Sequence, residues 1–274
     1  MKEPIRILSD LHLSHPASRI GSPSQLRPLI EGAQTVIFNG DTIEQRHSKV
    51  RDRAEQMLGE LKEICGKLGA DPVIVRGNHD PKISETDWLD LGPEDEIFVT
   101  HGDVLFPHIS PWNPKIWDVE DEMDAIREEI GSEQIESDLA TALEATQRCR
   151  LLSRGELERF NFKYFKKLGA ALALVLPLRR PIEILRCWIE TPGRAREFLS
   201  RHRPGARFFL FGHTHRPGVW QKGGKGPILI NTGGFLSIGK AKVVEISGGK
   251  IMVHGIDESG PAFAIGKKSA EFVI

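Results

Sequence analysis

Cysteine is scarce and scattered in this 274-residue chain: Cys65, Cys149 and Cys187 are odd in number, far apart and never in CxxC spacing. That excludes a disulfide framework, argues against a structural zinc site and makes a reducing cytosol the expected setting. Net charge is nearly absent as well, formally −1 at pH 7, so the chain as a whole gives no electrostatic case for nucleic acid as its partner. A long hydrophobic run is also missing. The greasiest stretch, Leu168–Leu178, falls far short of the ~20 apolar residues that span a bilayer, and Pro177 and Pro181 break its C-terminal end. No transmembrane segment is expected. The N-terminus enters the apolar run Ile5–Leu8 without a basic leader or cleavage site, which points to a cytoplasmic protein. Internal repeats and low-complexity tracts are absent, and the length suits one large domain or two ordinary ones with a substantial core.

What is present is a series of short β-branched or aromatic runs bounded by turn residues. They predict strands at Ile5–Ser9, Thr35–Asn39, Val73–Arg76, Glu96–Thr100, Arg207–Phe211 and Ile228–Asn231. Ala241–Ser247 and Lys250–Ile256 flank Gly248-Gly249, a two-residue connection that permits positive φ, and so predict a hairpin. Ser48–Leu68 repeats Ala54, Met57, Leu58, Leu61, Ile64, Cys65 and Leu68 at three-to-four spacing. It reads as an amphipathic helix capped by Ser48, stopped by Gly69 and packed on a sheet.

Five short blocks each come just after an apolar run: Asp10-Leu11-His12, Gly40-Asp41, Gly77-Asn78-His79-Asp80, His101-Gly102-Asp103 and Gly212-His213-Thr214-His215. Their Asp, Asn and His side chains are oxygen and nitrogen donors suited to divalent cations, and strand ends let distant donors converge at one sheet edge. Asp10 and His12 are expected to share a face by strand alternation, as are His213 and His215. Singly, such blocks are common: an Asp capping a turn, a solvated or core histidine. The third block is more specific, because four fixed residues at ~5% usage each arise by accident in about one such chain per thousand. Asn78 offers a neutral oxygen; the adjacent His79 suits proton transfer to a leaving oxygen better than ligation, with Asp80 placed to hold its ring.

In this order the blocks resemble the calcineurin-like metallophosphoesterase family, whose pattern is DxH, GD, GNH(D/E), H and GHxH. The resemblance implies an α/β (α+β) fold, a four-layer αββα sandwich of two mixed sheets faced by helices. It implies two divalent metal ions, one held by Asp10, His12, Asp41 and His215 and the other by Asp41, Asn78, His101 and His213, with Asp41 bridging. His79 would be the general acid and a metal-bridging hydroxide the nucleophile in hydrolysis of a phosphate mono- or diester or pyrophosphate bond. Mixed His, Asp and Asn donors are compatible with Mn, Fe, Zn, Co or Ni, and Mn is the expected occupant. Gln45 stands where protein serine/threonine phosphatases of the family carry Arg, which argues against that substrate class. A non-catalytic scaffold is the alternative outside enzymes.

Residues 112–204 read as a helical insertion within a single domain of 1–274. Val119–Arg150 looks helical and acidic at its start. A basic, aromatic-studded stretch comes after it, with Arg148, Arg150, Arg154, Arg159, Lys163, Lys166, Lys167, Arg179, Arg180 and Arg186 among Leu151, Phe160, Phe162, Tyr164, Phe165 and Trp188. The insertion resembles that of UDP-2,3-diacylglucosamine hydrolases, although His79 stands where those enzymes usually have Arg. Three readings suit it: a cap recruiting a phosphorylated small-molecule or lipid-nucleotide substrate, an interfacial helix in peripheral contact with an anionic inner membrane, or helices whose acids and bases face each other.

Overall fold

The computed structural model describes residues 1–152, 179–237 and 239–274. By its internal contacts the chain divides into two compact units, Met1–Gly102 with Gly205–Ile274, and Asp103–Pro204.

The first unit is built on two sheets. Strands β1 (Ile5–Leu8), β2 (Thr35–Asn39) and β3 (Asp71–Val75) run parallel, and β1 also pairs antiparallel with β9 (Lys242–Ser247). With β10 (Lys250–Asp257) and β11 (Ala264–Val273) they form a six-stranded sheet in the order β11-β10-β9-β1-β2-β3. The second sheet has five strands, β4 (Trp88–Leu91), β5 (Ile97–Thr100), β6 (Phe208–Phe211), β7 (Gly218–Lys222) and β8 (Lys225–Asn231), in the order β4-β5-β6-β8-β7.

Strand alternation divides the apolar side chains between two cores. Ile5, Ile7 and Ile37 of the first sheet join Val99, Phe208 and Leu210 of the second in one buried cluster. Leu8, Val36 and Phe38 turn the other way, onto the short helix α1 (Arg27–Ile30) and the longer α2 (Ser48–Lys67). Helix α2 contributes Ala54, Met57, Leu58, Leu61 and Cys65 at the predicted spacing; each fully buried Leu or Met contributes roughly 1.5–3 kcal/mol of transfer free energy. Its start is corrected by one residue: His47 is the N-cap, its Nδ1 accepting from the Lys49 N–H at 3.2 Å, and Ser48 is already helical.

The second unit is helical: α3 (Pro114–Trp117), α4 (Glu120–Ile130), α5 (Ser132–Ser137), α6 (Leu139–Leu152) and α7 (Arg179–His202). The helical-looking segment 119–150 is therefore three helices, because Gly131 at φ 97° and the extended Asp138 interrupt it. The unit begins at Asp103, which is fastened to α6 by a fully buried bidentate pair with Arg150 at 2.7 and 2.8 Å. His108 bonds Asp124 at 2.8 Å, and Asn113 caps α3.

Acids and bases do face each other between helices here, Arg148 pairing with Glu129 and Arg179 with Glu120, while Arg186 pairs with Glu190 one turn along α7. Those charges are spent inside the unit. Arg154, Arg159, Lys163, Lys166, Lys167, the aromatics between them and the run Leu168–Leu178 lie outside the described residues. Among the described residues no helix is long and apolar enough to cross a membrane.

Candidate metal centre

The candidate donors sit just past the strand ends of the first unit. Asp10 and His12 follow β1, Asp41 follows β2, Asn78 and His79 follow β3, His101 follows β5, and His213 and His215 follow β6. The backbone does not continue as strand there. Asp10, His12, Asp41, His213 and His215 adopt φ of 53, 47, 52, 68 and 53°, and make up five of the eight non-glycine residues in the left-handed region among the described residues. Strand alternation therefore does not set their directions, contrary to the expectation for both the DxH and HxH blocks. A left-handed turn at each donor does so, and such turns persist only where the surroundings impose them.

The result is two groups of donors that share Asp41, buried except for the half-buried His215, with His12, Glu44 and His79 clustered beside them. In the first, the His215 Nε2 lies 3.1 Å from the Asp10 Oδ1 and 3.2 Å from the His12 Nε2, with the Asp41 Oδ2 3.7 Å from the latter. In the second, the His101 Nε2 lies 3.1 Å from the Asn78 Oδ1, 3.2 Å from the His213 Nδ1 and 3.4 Å from the same Asp41 Oδ2. His213 and His215 thus separate, one to each group, and Asp41 reaches both. Ligands about 2.1 Å from a divalent cation stand roughly 3.0–3.5 Å from one another, close to the 3.1–3.7 Å between these donors. Imidazole nitrogens aimed at each other and at buried carboxylates fit a cation between them.

Close packing of backbone against donors makes this possible. At Gly212 a Cβ would overlap the Asp10 carboxylate and Ser9, and at Gly40 (φ 79°) it would overlap the His101 ring. The Asp10 carboxylate accepts the His213 N–H at 3.0 Å, and the Asp41 Oδ1 accepts the His79 N–H at 2.7 Å. The His101 Nδ1 faces the Asn39 carbonyl at 3.2 Å, so its proton belongs there and Nε2 is left as the donor to a cation.

Asp80 does not hold the His79 ring. Its carboxylate is taken by four backbone N–H groups, those of Gly77 (2.7 Å), Asp41 (3.1 Å), Thr42 (2.6 Å) and Ile43 (3.2 Å). It fastens the loop after β2 to the loop after β3. The ring is held by Glu44, whose Oε2 lies 2.7 Å from the His79 Nδ1 and whose Oε1 accepts the Arg46 N–H at 2.9 Å. Sequence reasoning misses Glu44; the only signal is an acid three residues after Asp41. Arg76, before the third block, is engaged by Asp87 and Glu85.

Electrostatics follow from this burial. Burial, with His79 and His215 nearby, holds the His12 ring well below its usual pKa, the neutral form a metal requires. For Asp41 burial pulls upward, but His101, His79 and His12 outweigh it and keep the carboxylate ionised. Burial lowers His79, yet Glu44 and Asp41 more than offset this and leave it raised, suited to carrying a proton. Burial and the neighbouring Asp41 charge push Asp80 up to about 7 against its N–H donors.

A two-sheet α/β sandwich with His, Asp and Asn donors gathered at its strand ends defines a metallophosphoesterase. The family profile described as calcineurin-like phosphoesterase matches residues 3–217, and the chain belongs to that family. It is accordingly a metal-dependent phosphoesterase by class. No curated protein matches the chain. Among solved structures, vacuolar protein sorting 29 from Cryptosporidium parvum is 16% identical with a TM-score of 0.45, covering 99% of each chain. A conserved uncharacterized protein from Streptococcus pneumoniae, described as a predicted phosphoesterase, is 15% identical with a TM-score of 0.39, over 100% of this chain and 99% of its own. The cold-active protein-tyrosine phosphatase of a Shewanella species is 10% identical with a TM-score of 0.40, over 92% of this chain and 77% of its own. The assignment rests on the family match, not on these likenesses.

Proposed function

We propose that the chain hydrolyses a phosphate mono- or diester or a pyrophosphate bond with two divalent cations, Asp10, His12, Asp41 and His215 holding one and Asp41, Asn78, His101 and His213 the other. The observation that carries this reading is the pair of buried donor groups sharing Asp41. Mixed imidazole, carboxylate and amide donors suit Mn, with Fe, Zn, Co and Ni as competitors. When bound, the ions supply positive charge for the attacking and leaving oxygens and lower the pKa of water.

The chain's own residues do the rest. Glu44 takes the Nδ1–H of His79 and turns its Nε2 outward, so that His79 delivers a proton to the departing oxygen from the edge of the donor groups. Asp80 keeps Asp41 and His79 in register by tying their loops together. Substrate is proposed to be a phosphorylated small molecule or lipid-linked nucleotide. The compartment is proposed to be the cytoplasm, where buried, unbridged Cys65, Cys149 and Cys187 suit reducing conditions.

The test is hydrolysis by Mn-reconstituted protein of a panel holding a phosphomonoester, a phosphodiester, a nucleotide pyrophosphate and UDP-2,3-diacylglucosamine, with Asp41→Asn as control. Turnover lost in the control supports the two-metal enzyme, and the preferred member names the bond class. Bound metal with no turnover on any member counts against it and favours a scaffold.

A further inference from the structure

We propose that His15 is a substrate-binding residue that donates its Nε2–H to an acceptor oxygen on the leaving group, so that the site favours leaving groups carrying such an oxygen close to the scissile bond. The inference rests on the phosphoesterase reading above and adds a residue and a substrate class to it.

His15 lies three residues past His12, where the chain turns through Ser14 at φ 72° and closes with the His15 N–H on the His12 carbonyl at 3.0 Å. Its ring is fixed from one edge: the Nδ1 accepts the backbone N–H of Ala17 at 3.0 Å. A backbone amide can only donate, so Nδ1 is unprotonated and the proton of the neutral ring sits on Nε2, at the opposite edge. The Nε2 edge is thus the one that carries a hydrogen to donate.

Its position gives that donor a use. The rings of His12, His15 and His79 form a triangle with centroids 4.7 Å apart for His12 and His79, 5.8 Å for His12 and His15, and 6.3 Å for His15 and His79. Each meets the others edge to face. His15 belongs to neither donor group that shares Asp41, yet it stands half-buried beside the imidazole proposed to protonate the departing oxygen. The atoms next to that oxygen must lie along the wall made by His79 and His15. A second phosphate or a sugar oxygen there accepts a hydrogen bond from His15, whereas a plain aryl group offers none.

Binding to Mn-loaded protein separates the possibilities, read by titration calorimetry with imidodiphosphate, a non-hydrolysable diphosphate, and with inorganic phosphate. His15→Ala is expected to weaken imidodiphosphate about tenfold, leave phosphate within about twofold and keep the metal content of wild type, with His15→Gln recovering part of the loss. In turnover, KM for pyrophosphate should rise while kcat stays near that of wild type. Unchanged imidodiphosphate affinity, equal weakening of both anions, or loss of a metal ion from His15→Ala would each overturn the assignment of His15 alone. Wild-type protein that binds metal but neither anion would overturn the phosphoesterase reading and the role of His15 with it.

Discussion

Removing one member of the Arg150–Asp103 pair should loosen the helical unit, whereas replacing both with apolar residues should not. The two side chains are fully buried and meet through two bonds, Nε to Oδ2 at 2.7 Å and Nη2 to Oδ1 at 2.8 Å. At an effective dielectric of about 20, unit charges at that separation attract by roughly 6 kcal/mol, while dehydrating each ion costs several kcal/mol. The intact pair therefore contributes little net stability. Asp103→Ala forfeits the attraction but keeps Arg150 buried, at about 3–5 kcal/mol, a large share of the ~5–15 kcal/mol that stabilises a typical domain. Hydrogen exchange at the amides of α6 should then accelerate about a thousandfold, the equivalent of ~4 kcal/mol. Asp103→Leu combined with Arg150→Met should return to within about tenfold of wild type, because no ion is left stranded. Equal exchange in the single and double variants would refute the argument, since it would mean that the pair acts through shape and not through charge.

Three further outcomes are expected. Gly212→Ala should lower metal affinity about 10–100-fold, measured as bound Mn after dialysis, because its Cβ would displace the Asp10 carboxylate; unchanged metal content would contradict the close packing. Glu44→Gln should lower kcat about 10²-fold or more with two metal ions still bound, since it removes the charged partner of His79 and leaves both groups that share Asp41 intact; loss of metal instead would place Glu44 among the ligands. Chelation should lower the melting temperature. Readdition of Mn at a hundred times its dissociation constant should restore about 2.7 kcal/mol by mass action, and identical melting with and without metal would exclude the buried donors as its site.

How much of this was legible in the sequence differed from element to element for physical reasons. The central strands were readable because Ile5–Leu8, Thr35–Asn39 and Phe208–Phe211 are buried on both faces and so appear as apolar runs, broken only by Arg6 in the first and bounded by Thr35 and Asn39 in the second. The three strands that went unrecognised, Trp88–Leu91, Gly218–Lys222 and Ala264–Val273, are all at sheet edges. There solvent admits Gly266, Lys267 and Lys268, and no periodic signal survives. The donor residues themselves were readable as short blocks past strands, but their directions were not, because alternation applies to extended backbone and these residues are left-handed. Glu44 stayed hidden for a related reason: Gly77-Asn78-His79-Asp80 puts an acid beside His79 in sequence, while the folded loops spend that acid on backbone amides and bring another across.

The left-handed donors have an evolutionary consequence. A non-glycine residue in that region costs on the order of 1 kcal/mol or more, and Asp10, His12, Asp41, His213 and His215 bear that cost together. Replacement of any of them by glycine would relax the backbone and, at Asp10 or Asp41, remove a buried charge as well. Drift toward an inert relative is therefore downhill for the fold. A chain that retains Asp10, His12, Asp41, Asn78, His101, His213 and His215 intact carries a burden that stability alone would have shed.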